Sequence, residues 1–307
     1  MGSIQYGSNM MNVPFLWELG YFGDKVIIAV LDTGCDYTHK DLKNNILGGI
    51  NFTDDYNGNK NEFMDNNGHG THTTGIMVAS HSSSDSYGIA PNSKIIALKV
   101  LDEHGKGNSD NIIKGIKFCI DWNEKKGQNK INIISMSLGS ELNTVELYDV
   151  IREAVRKNII IVGSAGNNGD GDLYSEEIQY PSIYDNVIQV CAMDKNKRIT
   201  NFSNTNKFVD IAAPGVDIKS TFLNNSYAIF SGTSQATPHV SAVIALLINK
   251  YRFEARQDPS YLQLLEYFYK HTKLLGLSSY REIDLRMNGG AQSLVSSPES
   301  EAFLKHN

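Results

Sequence analysis

Val26-Ile27-Ile28-Ala29-Val30-Leu31-Asp32-Thr33-Gly34 decides how the rest of the chain is read. It opens with six consecutive aliphatic residues and no period-two alternation, the pattern of a strand buried on both faces. The run then stops on an acid, a hydroxyl and a glycine, the small polar residues that a cleft floor needs. Four more runs of this kind lie at 94–100, 131–136, 159–162 and 187–191. Amphipathic stretches at 108–126, 144–157 and 233–251 stand between and after them, each long enough for a crossover helix. Strands alternating with helices predict an α/β fold, a doubly wound, mostly parallel sheet flanked by helices.

In such a sheet ligands bind beyond the carboxyl ends of the strands, so the residues that follow each run are the candidates for a site. They read Asp32-Thr33-Gly34, Ser137-Leu138-Gly139 and Ser164-Ala165-Gly166-Asn167. A nucleotide would compete for this place, but no run is followed by G-x-G-x-x-G or by G-x-x-x-x-G-K-[ST]. The chain has 307 residues, 41% of them hydrophobic, enough for one large core. Residues 1–287 read as one domain and 288–307 as a polar C-terminal tail expected to be mobile.

Asp and Glu number 34 against 28 Lys and Arg, a net charge of -6, so no basic face for nucleic acid or anionic lipid is expected. No stretch approaches the roughly 20 consecutive apolar residues of a membrane span. The first residues also lack the basic and apolar regions of a signal peptide, although a secreted chain whose leader had been removed would read the same. Cys35, Cys119 and Cys191 are odd in number and lie in or beside apolar runs, which predicts buried free thiols of a reducing compartment. Segment 54–67, rich in Asn, Asp and Gly, reads as a surface loop.

Three segments each place one reactive side chain among very small neighbours. They are Val30-Leu31-Asp32-Thr33-Gly34, Asn67-Gly68-His69-Gly70-Thr71-His72, and Ser231-Gly232-Thr233-Ser234-Gln235-Ala236-Thr237-Pro238-His239. A serine hydroxyl is a weak nucleophile at its own pKa, so Ser234 needs a base within reach, and His69 is the candidate. Asp32 would then hold the imidazole tautomer and stabilise the imidazolium. Ser234 also stands at the start of the 233–251 helix, whose unpaired N–H groups favour negative charge. Taken singly, Asp32, His69 and Ser234 equally suit a strand-end turn, a loop and a helix N-cap. Taken together, in the Asp, His, Ser chain order known for subtilisin, they resemble the subtilisin family of serine proteases. The resemblance extends over about residues 17–247. It implies a serine endopeptidase acting on peptide or protein substrates.

The resemblance makes Asn167 of Ala165-Gly166-Asn167 one oxyanion donor and the N–H of Ser234 the other. It also implies that a substrate peptide adds as a strand between Lys106-Gly107-Asn108 and Ser137-Leu138-Gly139. The main specificity pocket would be walled by Ser137, Leu138, Gly139 and Ser140 on one side and Ala165, Gly166 and Asn167 on the other. Two residues depart from the family: Ser140 stands where glycine is usual, and Gln179 where a small residue is common. Each either narrows the pocket or makes it more polar. Ser109 replaces a bulky aromatic of many relatives. The nearby Asp110 and Glu141 either favour larger or more basic residues upstream of the cut or are simply solvated.

A structural Ca²⁺ is implied at Asp41 with Ser80, Ser82, Ser84 and Ser86 of the 80–86 loop, although Ser82 replaces the usual asparagine ligand. Ca²⁺ requires about six to eight oxygens, some of which backbone carbonyls would supply. His69 and His72 could be read as two metal ligands, but no third ligand at zinc-like spacing accompanies them. His72 and His239 are expected to be structural. Within the family, the chain resembles the intracellular subtilisins of Gram-positive bacteria. That likeness rests on Asp32-Thr33-Gly34-Cys35, Asp65-Asn66-Asn67-Gly68-His69, Gly169-Asp170-Gly171 and Phe202-Ser203-Asn204-Thr205-Asn206. It implies a cytoplasmic enzyme and a homodimer. A cytosolic processing protease for one peptide precursor, of the lantibiotic-leader type, is the alternative enzyme. A pseudoprotease scaffold is the non-enzymatic one, and the four intact catalytic positions argue against it.

Overall fold

The computed structural model describes residues 5–80, 87–125, 127, 129–275 and 280–286. Two short helices, α1 (Tyr6–Met10) and α2 (Val13–Glu18), lead into β1 (Ile27–Asp32). There follow β2 (Ile46–Asn51), α3 (His69–Val78), β3 (Lys94–Lys99), α4 (Ser109–Lys125), β4 (Ile131–Met136), α5 (Val145–Arg156) and β5 (Ile160–Ser164). The second half holds β6 (Ile188–Met193), β7 (Ile211–Pro214), a hairpin of β8 (Ile218–Phe222) and β9 (Ser226–Phe230), and α6 (Thr233–Ala255). It ends with α7 (Tyr261–Tyr269), β10 (Thr272–Leu274) and β11 (Arg281–Ile283).

All five strands and all three helices anticipated from the sequence are present. Six strands among the described residues were not anticipated: β2 carries Gly48 and Gly49 and is half exposed, β7, β10 and β11 have only three or four residues, and β8 and β9 form a separate two-stranded hairpin. Segment 54–67 is mostly irregular, with one 3₁₀ turn at Asp55–Gly58. The tail 288–307 and Ser82, Ser84 and Ser86 lie outside the described residues. Cys35, Cys119 and Cys191 are buried and free. Among the described residues no helix is long and apolar enough to cross a membrane.

The large sheet has the order β10-β11-β7-β6-β5-β4-β1-β3-β2, and every pairing except β10 with β11 is parallel. Parallel strands need crossovers, and the helices that provide them cover both faces. β1 makes the consequence plain. Its Ile28 and Val30 enter one apolar cluster, with much of α3 and α6, while Ile27, Ala29 and Leu31 enter a second, with α4 and α5. Successive side chains point to opposite faces, so a strand covered twice must be apolar throughout. The chain leaves β1 for β2 and β3 on one side and returns with β4 on the other, so the order reverses at β1. A crevice opens at such a reversal, beyond the carboxyl ends of β1 and β4.

One buried charge ties that crevice together. Lys99, at the end of β3 and paired in register with Asp32, is fully buried. Its Nζ lies 2.8 Å from Asp55 Oδ2, and donates to Thr33 O at 2.8 Å, Asn66 Oδ1 at 2.9 Å and Leu101 O at 3.0 Å. Burial would raise the Asp55 pKa, but hydrogen bonds from Lys99 and Asn66 together with the Lys99 charge hold it below the ordinary carboxylate value. The ammonium therefore pins the 54–67 loop to the end of β1. Lys99→Met removes the cation and leaves the Asp55 carboxylate and three acceptors behind, and is expected to cost about 3 kcal/mol. An unchanged guanidinium unfolding midpoint would show that the ion pair contributes nothing net.

Candidate active site

Asp32 closes β1 and His69 opens α3, and the two backbones approach as closely as glycine allows. Gly34 adopts φ +109, and a Cβ there would sit 2.5 Å from Phe63 O. A Cβ on Gly70 would overlap Gly34 O. Larger residues at either position would push the strand end and the helix start apart. At this separation His69 Nδ1 lies 2.7 Å from Asp32 Oδ1. Asp32 also accepts from Thr33 N at 2.7 Å and, on Oδ2, from Thr73 Oγ1 at 3.2 Å. A carboxylate accepts only, so Nδ1 carries the proton and Nε2 presents its lone pair. Asp32 is 1% exposed, whereas the His69 side chain is 27% exposed, so the pair faces solvent through the imidazole alone. Burial works against the imidazolium, but the charge and hydrogen bond of Asp32, followed by the charge of Asp65, hold the His69 pKa above the ordinary histidine value.

Asp65 entered the sequence reading only as part of Asp65-Asn66-Asn67-Gly68-His69, with no role of its own. In the fold it is a buried hub. Oδ1 accepts from Thr33 Oγ1 at 2.9 Å, Asn67 N at 2.9 Å and Gly68 N at 2.8 Å. Oδ2 accepts from Thr71 N at 2.8 Å and Thr71 Oγ1 at 2.7 Å. The first N–H groups of a helix have no partner within it, and a carboxylate four residues before His69 is well placed to take them. Thr33 Oγ1 in turn accepts from Gly70 N at 2.9 Å. An acid just ahead of a helix start is a recognisable signal of this role, but nothing local shows that it also reaches Thr33.

Ser234 occupies the first turn of α6, and a proline sets its surroundings. Pro238 has no N–H, so the Ser234 carbonyl lacks its helical partner four residues on. Ser137 Oγ donates to that carbonyl instead, at 2.9 Å, and Ser234 Oγ donates to Ser137 O at 3.3 Å. The structure thus holds two hydrogen-bonded pairs, Asp32 with His69 and Ser137 with Ser234. The Ser234 hydroxyl is engaged with Ser137 and not with His69. Asn167 lies beside them, its Oδ1 accepting from Thr233 N at 2.8 Å and Thr233 Oγ1 at 3.0 Å. With the amide oxygen held there, Nδ2 is the free end.

A cleft of about 940 Å³ begins at His69 and Asn67 and runs past Leu101, Ile112, Leu142 and Leu147. Lys106, Gly107, Asn108, Ser137, Leu138, Gly139 and Ser140 all line it. Ala165 is fully buried behind it, and the space between Gly139 and Gly166 is taken by the side chain of Gln179. His72 and His239 are buried and have a different fate from His69. His72 Nε2 donates to the carbonyls of Ile218 and Ala228, at 3.1 and 3.2 Å, and its ring stacks on Phe230. His239 Nδ1 donates to Gln235 O at 2.7 Å. Burial pulls each of their pKa values down to about 4. Both rings are therefore neutral near pH 7, and no group of three metal-ligating side chains occurs among the described residues.

The sequence matches the family described as the Subtilase family over residues 23–280. The chain belongs to this family. It is 42% identical over 252 residues to the major intracellular serine protease of Bacillus subtilis (strain 168), covering 82% of this chain and 76% of that protein. Against an intracellular serine protease of Paenibacillus polymyxa it is 41% identical over 282 residues, 92% of this chain and 84% of the other. Subtilisin E of Bacillus subtilis (strain 168) is 36% identical over 249 residues, 81% of this chain and 62% of that protein. This subtilase is a subtilisin-like serine endopeptidase, and its substrates are peptides or proteins.

The hub carboxylate can be tested through the histidine it faces. Asp65→Asn removes a negative charge near His69, so the His69 pKa falls and the acid limb of the kcat/KM profile moves to lower pH. An amide cannot accept all five hydrogen bonds, and stability should drop by about 2 kcal/mol. An acid limb that stays in place would show that Asp65 does not act on His69 electrostatically.

Proposed function

We propose that Ser234 is the nucleophile of this endopeptidase, His69 its general base, Asp32 the group that orients His69, and Asn167 with the Ser234 N–H the oxyanion donors. The observation that carries the proposal is the 2.7 Å Asp32–His69 pair. It leaves Nε2 free and keeps His69 basic, while burial suppresses His72 and His239. For reaction the Ser234 hydroxyl turns from Ser137 O to Nε2. The bond it gives up is long and neutral, and is worth about 1 kcal/mol or less. Oγ attacks the scissile carbonyl as Nε2 takes the proton. The carbonyl oxygen, now negative, accepts from Asn167 Nδ2 and from the N–H of Ser234 at the amino end of α6. Collapse expels the amine, which takes the proton from His69. Water then repeats the sequence on the acyl-enzyme.

The peptide is bound extended, its backbone paired with Lys106-Gly107-Asn108 on one side and Ser137-Leu138-Gly139 on the other. The names of the two intracellular relatives support a cytoplasmic enzyme, and residues 1–287 are read as one peptidase domain. A homodimer is part of the same reading. A structural Ca²⁺ would be held by Asp41 and Ser80, with the remaining oxygens from the 80–86 loop. The donor set suits a hard cation: the Asp41 carboxylate is buried, accepts from Ser80 Oγ at 3.3 Å and Tyr227 OH at 2.6 Å, and its backbone carbonyl accepts from Ser80 N at 2.9 Å. The ion would tie α3's exit to the segment after β1.

A fluorophosphonate should label the enzyme at Ser234 alone, and Ser234→Ala should neither label nor cleave, while melting as the parent does. Near-parental cleavage by Ser234→Ala would remove the nucleophile assignment, and an unlabelled, inactive parent would favour a scaffold. EDTA should lower the melting temperature of the Ser234→Ala protein by several degrees, with calcium restoring it, since a ligand bound only to the folded state stabilises it. Indifference to both reagents would dispose of the calcium site.

A further inference from the structure

Beside the cleft, the chain itself fills the space between Gly139 and Gly166. A Cβ built on Gly139 would overlap Gln179 Nε2 and sit 2.5 Å from its Cδ and Cγ. A Cβ built on Gly166 would overlap Gln179 Oε1. The Gln179 side chain therefore spans the gap from one glycine wall to the other. Its backbone is fixed on both sides. Gln179 O accepts from Ser182 Oγ at 3.0 Å and Ile183 N at 3.1 Å, and the next residue, Tyr180, exchanges two 2.8 Å backbone bonds with Ser140.

The opposite wall is equally fixed. Asn204 N donates to Gly166 O at 2.9 Å, and Asn204 Oδ1 accepts from Asn168 N at 2.6 Å. Both walls are thus tied by hydrogen bonds to neighbouring segments. The open volume lies elsewhere, in the 940 Å³ cleft, where Leu101, Ile112, Leu142 and Leu147 stand beside polar Lys106, Asn108, Ser109 and Asp110.

We propose that Gln179 closes the pocket for the residue whose carbonyl is attacked, so that this subtilase cuts after glycine or alanine, rejects large apolar residues there, and draws its affinity from apolar residues further upstream. The proposal rests on the assignment of Ser234 as nucleophile, because that fixes which substrate residue faces Gln179. A large side chain at this position must expel the amide from between the glycines, or bury it against apolar surface without a partner, which costs about 1–3 kcal/mol. Glycine and alanine leave it in place.

The test uses four peptides identical except for glycine, alanine, leucine or phenylalanine before the scissile bond, with active enzyme counted by fluorophosphonate titration. For the parent enzyme, kcat/KM should favour alanine over phenylalanine by roughly tenfold or more. In both Gln179→Gly and Gln179→Ala the phenylalanine-to-alanine ratio should rise by roughly tenfold or more. A parent that prefers phenylalanine or leucine overturns the proposal, as does a ratio that moves in neither variant. If titration fails to label Ser234, the nucleophile assignment falls and this proposal falls with it. A fully labelled enzyme with an unmoved ratio overturns the pocket alone.

Discussion

The Asp65 carboxylate holds the centre of this molecule together. It is buried, and it accepts from the hydroxyl of Thr33 after β1 and from three backbone N–H groups around the start of α3. A buried charge is costly unless its lone pairs are satisfied, and here they are filled by groups from two separate elements. Separating the strand end from the helix start would leave that charge unsatisfied. The 2.7 Å contact of Asp32 with His69 is possible because Asp65 and the glycines at 34 and 70 have already fixed the spacing. Lys99 reinforces the same corner from the other side through Thr33, Asn66 and Asp55.

The other half of the site depends on α6, which is buried along most of its length against the sheet. A helix buried in this way can hold its first turn rigidly, and Pro238 frees the Ser234 carbonyl to bind Ser137. The segment after β4 is thereby tied to the residue proposed to react. Burial also sorts the histidines. Three of them lie on α3 and α6, and desolvation lowers the pKa of the two that lack a carboxylate partner. His69 alone keeps its basicity, because Asp32 and Asp65 outweigh the burial.

Stability and specificity meet in the cleft. Its lining sets Leu101, Ile112, Leu142 and Leu147 beside polar Lys106, Asn108, Ser109 and Asp110, and Gln179 fills the space between Gly139 and Gly166. With Ser234 as the proposed nucleophile, a site of this shape gains little from a deep anchor beside the reactive carbonyl. On the proposed reading, the substrate is held by backbone pairing and by side chains further along the peptide.

Much of this was legible in the sequence. The unalternating run 26–31 determined a strand covered on both faces, because only such a strand is apolar at every position. The lengths of the stretches at 108–126, 144–157 and 233–251 determined crossover helices, and hence a parallel sheet. The roles of Asp32, His69, Ser234 and Asn167 remain the proposal, whereas their places at or just beyond a strand or helix end were legible from the glycines and small residues around them. The weaker strands were not, since β2 depends on pairing that its two glycines do not advertise, and β7, β10 and β11 are too short to show a period. The role of Asp65 was invisible, because its partner Thr33 lies 32 residues away and only folding brings them within 2.9 Å. The same holds for Lys99, since Thr33, Asp55 and Asn66, distant in sequence, become its acceptors only on folding. Gln179 was recognised as a departure, but that its side chain fills the space between Gly139 and Gly166 was decided by tertiary structure. Local sequence sets which residue is present and what its backbone favours. Which space a side chain fills depends on walls that come from distant parts of the chain, here Gly139 and Gly166.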